Sequence, residues 1–160
     1  MTVIIGIDPG SRRTGYGVIR LEGNRHVYLA SGYLNLLAFP AHERLRQIYL
    51  GLQKIMQTYQ PHEAAIEQVF MQENPNSALK LGQARGAAIV ALDIPVAEYS
   101  ARAVKKSVVG HGAADKSQVQ FMVKRLLNIG VSLQPDAADA LAVALCHAHA
   151  RGMKKWGIEK

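Results

Sequence analysis

The chain has 160 residues, 49% of them hydrophobic and 19% charged, with a net charge of +7 and a pI near 9.7. This is an ordinary globular composition, enough for one domain that buries about 70% of the surface of its unfolded chain, and no run nears the ~18 apolar residues of a membrane span. The single cysteine, Cys146, excludes an intrachain disulfide and a cysteine-built zinc site; with no basic and apolar leader at its start, the chain is expected in a reducing cytoplasm.

The first segment, Thr2-Val3-Ile4-Ile5-Gly6-Ile7-Asp8, is apolar on both alternating faces and so reads as a central strand that ends in a carboxylate. Pro9-Gly10-Ser11 turns the chain and leaves Asp8 at a sheet rim. Either Asp8 merely starts this turn, or it meets a cation or hydrogen-bond donors there, because burying it unpartnered is costly. Residues 14–21 and 26–34 follow as two strands of an antiparallel meander. Leu45, Ile48, Tyr49, Leu52, Ile55, Met56 and Tyr59 then recur at helical spacing, which predicts a core-facing helix ending before Pro61.

Residues 62–67 form a fourth strand, again ending in acid, Glu67. After a polar loop, Ser77 is expected to cap a helix through Leu92. Gly82 and Gly86 lie four apart on it. Glycine costs a helix about 1 kcal/mol against alanine, so a closely approaching backbone is expected there, from the chain's own sheet or from a second subunit. Residues 94–99 give a fifth strand and 101–109 a short basic helix. Asp115 and Gln118 form a capping box for a helix over 116–128 that Gly130 closes. Pro135 opens a last, alanine-rich helix to about Ala150. A single domain over 1–151 and a short basic tail over 152–160 are expected.

Between Tyr99 and Leu127, Arg102, Lys105, Lys106, Lys116, Lys124 and Arg125 face one acid, Asp115, a local excess that favours nucleic acid over a merely solvated face. On the last helix Ala137, Leu141, Ala144, Leu145 and Ala148 make the apolar stripe, and Asp136 and Asp139 lie off it, about 4.5 Å apart along the axis. Like charges at that spacing destabilise a helix unless a cation joins them. Asp8, Glu67, Asp136 and Asp139 are therefore candidate ligands for a hard cation: Mg²⁺ or Mn²⁺ suits oxygen-only donors. A pair of such ions would serve phosphodiester hydrolysis, with the basic segment holding the phosphate backbone.

Several stretches resemble the RuvC family of Holliday-junction resolvases. They are Gly6-Ile7-Asp8-Pro9-Gly10-Ser11 with Thr14-Gly15-Tyr16-Gly17, Ile66-Glu67-Gln68-Val69-Phe70-Met71, Asn76 through Gly86, Lys116-Ser117-Gln118-Val119, and Asp136-Ala137-Ala138-Asp139-Ala140-Leu141-Ala142. The resemblance spans residues 3–149 and implies a ribonuclease H-like α/β fold: a mixed five-stranded sheet, three antiparallel strands plus two parallel ones, flanked by helices. It implies a homodimeric endonuclease that nicks four-way junctions symmetrically with two Mg²⁺ per site and works with the RuvA-RuvB branch-migration complex. Asp8 would bridge the metals, Glu67, Asp136 and Asp139 would complete their shell, and Lys105 and Lys116 would lie near the scissile phosphate. Phe70 would stack on bases of the opened junction, or else pack in the core. Arg102 and Lys106 are further DNA contacts, and Leu79, Gly82, Gly86 and Ile89 the candidate dimer face. A related nuclease acting on hybrids or forks, and a scaffold that binds junctions without cutting, are the alternatives; an actin-like ATPase would need a second domain.

Overall fold

The computed structural model describes residues 1–69 and 74–155. Strand β1 (Thr2–Asp8) lies at the middle of a five-stranded sheet, as its two apolar faces require. It pairs antiparallel with β2 (Arg13–Glu22), which pairs antiparallel with β3 (Arg25–Asn35); on its other side it pairs parallel with β4 (Glu63–Glu67), and β4 with β5 (Val96–Tyr99). The order β3-β2-β1-β4-β5 is the expected mixed sheet, meander plus two parallel strands. Helices α1 (Ala41–Tyr59) and α2 (Pro75–Leu92) cover one face; α3 (Ala101–Val109), α4 (Lys116–Leu126) and α5 (Pro135–Lys155) cover the other.

Strand periodicity decides what points where. Ile5, Ile7 and Val18 join Ile48, Leu52 and Leu92 in the core beneath α1 and α2, whereas Ile4, Ile19 and Ala65 face α5. Gly6 and Asp8 share the parity of Ile4, and Glu63 and Glu67 share that of Ala65. Gly6 is paired with Gly17, and Asp8 with Gly15. These glycines form a floor on which α5 lies unusually close: a Cβ on Gly6 would run into the carbonyl of Ala140, one on Gly15 into the carbonyl of Asp136, and one on Gly17 into Leu141. No larger residue fits there. The first half of α5 is thereby held against the end of β1.

Several local expectations change. Asn74, not Ser77, caps α2: its carboxamide accepts from the amides of Asn76 and Ser77, and Pro75 supplies the favoured first-turn proline. Helix α4 ends at Leu126, with Asn128 rather than Gly130 in the left-handed conformation, φ 53°. Tyr49, read as part of the α1 stripe, is 40% exposed. Helix α5 continues through Gly152 to Lys155, so part of the expected tail is helical. It is also buried more fully than a stripe implies, Ala138, Ala140, Ala142, Val143 and Cys146 included, because α3 and α4 cover its far side.

Candidate active site

The turn after β1 is fixed by Thr14, which is fully buried. Its hydroxyl donates to the Gly10 carbonyl at 2.9 Å and accepts from the Gly10 amide at 3.3 Å. Asp8 is thus held at the rim, facing α5. The capping box at α4 forms as the sequence predicts, Gln118 N donating to Asp115 Oδ1 and Asp115 N to Gln118 Oε1, each at 2.9 Å. It starts α4 with Lys116 pointing into the same region. Gln134 orients Asp136, accepting from its amide at 2.8 Å and donating to its Oδ2 at 3.2 Å.

The result is a cleft of about 380 Å³ lined by Asp8, Glu67, Asp136 and Asp139, with Lys105 and Lys116 on its basic wall. All four predicted carboxylates meet in it. Lys116 Nζ lies 3.7 Å from Asp139 Oδ2. The electrostatics are those of a crowd of like charges with too few cations. Burial and the charges of Asp139, Asp136 and Glu67 push Asp8 up to about 7, against the opposing pull of Lys116. Burial and Asp139 raise Glu67 while Lys105 and Lys116 lower it; burial also raises Asp139, Lys116 opposing and Asp136 adding to the rise.

The donor chemistry fits a hard divalent cation, since every ligand atom available is a carboxylate oxygen and their mutual repulsion is what such an ion relieves. The side chains are not closed around one point: among the described residues, no three His, Cys, Asp or Glu side chains are placed to hold a metal together. Repulsion among bare carboxylates opposes such closure.

Of the other predicted residues, Arg102 and Lys106 are exposed on α3 outside the cleft, the stem of Arg102 lying beside Gly112. Phe70 lies outside the described residues. A Cβ added at Gly82 or Gly86 would meet nothing within 4 Å, so the chain's own sheet is not what approaches them. Leu79 is 66% exposed beside them. Ile89, expected on that outer face, packs instead against the chain's own core, and Val90, 66% exposed, takes its place in a stripe of Leu79, Gly82, Gly86 and Val90.

Three contacts escaped the sequence reading. Arg85 donates to the main-chain carbonyl of Glu67, and Glu63 on β4 is held by His147 and Arg151 of α5. Glycines alternating on paired strands opposite alanines were the one signal that could have shown how closely α5 approaches.

A meander followed by two parallel strands, with carboxylates gathered at the end of the central strand, defines a ribonuclease H-like nuclease fold. The chain matches the family "Crossover junction endodeoxyribonuclease RuvC" over residues 4–147, and it belongs to that family. It is 58% identical over 155 residues to the crossover junction endodeoxyribonuclease RuvC of Acinetobacter baumannii, covering 95% of this chain and 86% of that one. Among solved structures, T. thermophilus RuvC in complex with a Holliday junction substrate superposes with a TM-score of 0.89 at 33% identity, covering 96% of this chain and 97% of that one. The yeast mitochondrial Holliday junction resolvase shares the fold at a TM-score of 0.69 and 15% identity, covering 97% of this chain and 81% of that one. Divalent-metal dependence is general to RuvC nucleases.

Proposed function

We propose that this chain is a Mg²⁺-dependent endonuclease that resolves Holliday junctions by paired symmetric nicks in strands of like polarity, in DNA recombination and repair. The observation that carries the proposal is the convergence of Asp8, Glu67, Asp136 and Asp139, from two strand ends and one helix start, in a cleft with a basic wall. These four carboxylates would hold the cations, for which Mn²⁺ could substitute. Metal held there would supply a water nucleophile for the phosphodiester and charge neutralisation at the leaving oxygen.

The chain's own residues do the rest. Asp8, at the end of the central strand, sets the position of the cluster. Lys116 partly offsets the charge of Asp139 and, with Lys105, draws the scissile phosphate into the cleft. Arg102 and Lys106 meet flanking phosphates, which hold register without reading bases. Phe70 stacks on a base of the opened junction. A two-fold homodimer supplies the two sites that two equivalent strands require, and the exposed stripe of Leu79, Gly82, Gly86 and Val90 on α2 is its contact. The RuvA-RuvB branch-migration complex is the expected partner and the cytoplasm the expected compartment; no helix among the described residues is long and apolar enough to cross a membrane.

The test is cleavage of a synthetic four-way junction beside a plain duplex and an RNA–DNA hybrid, with Mg²⁺ and with chelator. Paired nicks are expected only in the junction and only with metal. Asp8→Asn and Asp139→Asn should lower nicking by on the order of 10³-fold while junction binding persists. Cleavage that survives chelation, or a preference for the hybrid, would overturn the proposal.

A further inference from the structure

Glu67 leaves the sheet at the point where β4 ends, and its side chain points toward α5. Its main chain is gripped from two other directions. The amide of Gln68 donates to the carbonyl of Tyr99 on β5 at 2.7 Å. From the opposite face, Arg85 of α2 donates through Nη1 to the carbonyl of Glu67 itself at 2.8 Å, and through Nη2 to the carboxylate of Glu98 on β5. The Arg85 side chain is 16% exposed, so its arm on the Glu67 carbonyl is partly shielded from water.

An arginine with both arms engaged is a rigid fork, and this fork spans the ends of the two parallel strands. In register, Ile66 pairs with Glu98 and Glu67 with Tyr99, so the fork closes the last rung of that ladder. Arg85 does not line the cleft and touches no reacting atom. Its reach is to the backbone that aims one of the four carboxylates. Glu67 has neither of the supports the other three share: Asp8 precedes a turn locked by Thr14, and Asp136 and Asp139 ride on a helix seated on glycines, whereas beyond Glu67 the Gln68 amide makes the last bond to β5.

We propose that Arg85 is a positioning residue for Glu67, holding the carboxylate where the cleft needs it; the inference rests on the reading of Glu67 as a metal-binding carboxylate. A lysine cannot reproduce it, because a compact ammonium does not bridge a carbonyl and a carboxylate in one plane. The Glu98 arm is secondary, since that carboxylate is 47% exposed.

The experiment compares the full-length protein with Arg85→Met, Arg85→Lys, Glu98→Gln and Glu67→Gln. It reads single-turnover nicking of a four-way junction at saturating Mg²⁺, junction affinity in chelator, and hydrogen exchange of the Gln68 amide. Misplacing a reacting group by about 1 Å costs on the order of 10²-fold, so Arg85→Met should slow nicking about 10- to 100-fold. Junction affinity should stay within about twofold, since uniform binding is untouched. The Gln68 amide should exchange faster in Arg85→Met while the amide of Ile5, in the central strand, does not. Arg85→Lys should be impaired in the same sense and Glu98→Gln much less. Three results would overturn the inference: wild-type nicking in Arg85→Met; faster exchange at Gln68 and Ile5 alike in both Arg85 variants, which marks a merely structural role; or wild-type nicking in Glu67→Gln. The last also removes Glu67 from the site, whereas an inactive Glu67→Gln beside an active Arg85→Met refutes the inference alone.

Discussion

Glu63 and Glu67 stand four residues apart on one strand, on the same face, opposite the same helix, and their surroundings are opposite in character. Burial acts to raise Glu63, but hydrogen bonds from Arg151 Nε and from His147 Nε2, each at 2.7 Å, outweigh it and hold its carboxyl below the ordinary range. His147 is hydrogen-bonded in turn to the Tyr99 hydroxyl at 2.7 Å, so this end of α5 is tied to β4 and β5. At the other end of α5, burial and Asp139 raise Glu67, and Asp8 beside it is pushed to about 7. One end of the helix neutralises its acids; the other collects them. A carboxylate that holds the fold together brings its own partners, and a group of carboxylates lacking them leaves room for one supplied from outside.

The largest loss of stability and activity together is expected at the glycine floor that permits the crowded end. Gly15→Ala sets a methyl group against the Asp136 carbonyl, and neither backbone can yield cheaply. Overpacking of this kind costs about 3 kcal/mol or a little less in thermal or denaturant unfolding. It should also lower nicking, because relief requires α5 to lift Asp136 and Asp139 away from Asp8. A variant with wild-type stability would mean that the close approach is not enforced.

Next comes a difference of sign between the two ends. In metal-free protein the folded pKa of Asp8, about 7, lies above its unfolded value of 3.8. The folded state therefore holds the extra proton, and stability falls as pH rises through that window. Asp8→Asn escapes the penalty. Its advantage over wild type in thermal unfolding should be absent near pH 4, grow as pH rises and be complete above 7, reaching a few kcal/mol at roughly 1.4 kcal/mol per pKa unit. Glu63→Gln should do the reverse: it removes the carboxylate charge and one of the two acceptor oxygens facing His147 and Arg151, and destabilises by about 1 to 2 kcal/mol at neutral pH. That loss should shrink in acid, as pH falls through the lowered pKa of Glu63 and the wild-type carboxyl is itself protonated. Equal signs for the two variants at pH 8 would dissolve the contrast.

Much of this was readable beforehand because it rests on local pattern. The run over Thr2–Asp8, apolar on both faces, marked a central strand ending in acid, the Asp115 and Gln118 spacing marked the cap before Lys116, and the three-residue step from Asp136 to Asp139 marked a shared face. The four acids could be named together because Asp8 and Glu67 end strands, Asp136 opens the last helix and Asp139 shares its face. What stayed hidden depends on distances between elements. The parity of Glu63 equals that of Glu67, yet only the tertiary fold brings His147 and Arg151 to one and Asp139 to the other. Nothing in the helical spacing of Arg85 links it to Glu67; the packing of α2 on the sheet end brings them together. Ile89 and Val90 are adjacent in sequence, and which of them faces outward depends on how α2 is rolled on the core. Ser77 lost the capping role to Asn74 for a local reason, the pull of Pro75 toward the first helical position.

The most direct test of the central claim is thermal unfolding at pH 8 with increasing Mg²⁺, without DNA, for wild type, Asp8→Asn and Glu63→Gln. A ligand bound only by the folded state at a hundred times its dissociation constant stabilises by about 2.7 kcal/mol. The account predicts that Mg²⁺ raises the melting temperature of wild type and of Glu63→Gln by similar amounts and leaves Asp8→Asn nearly unmoved. Equal rises in all three proteins, or none in wild type, would contradict it.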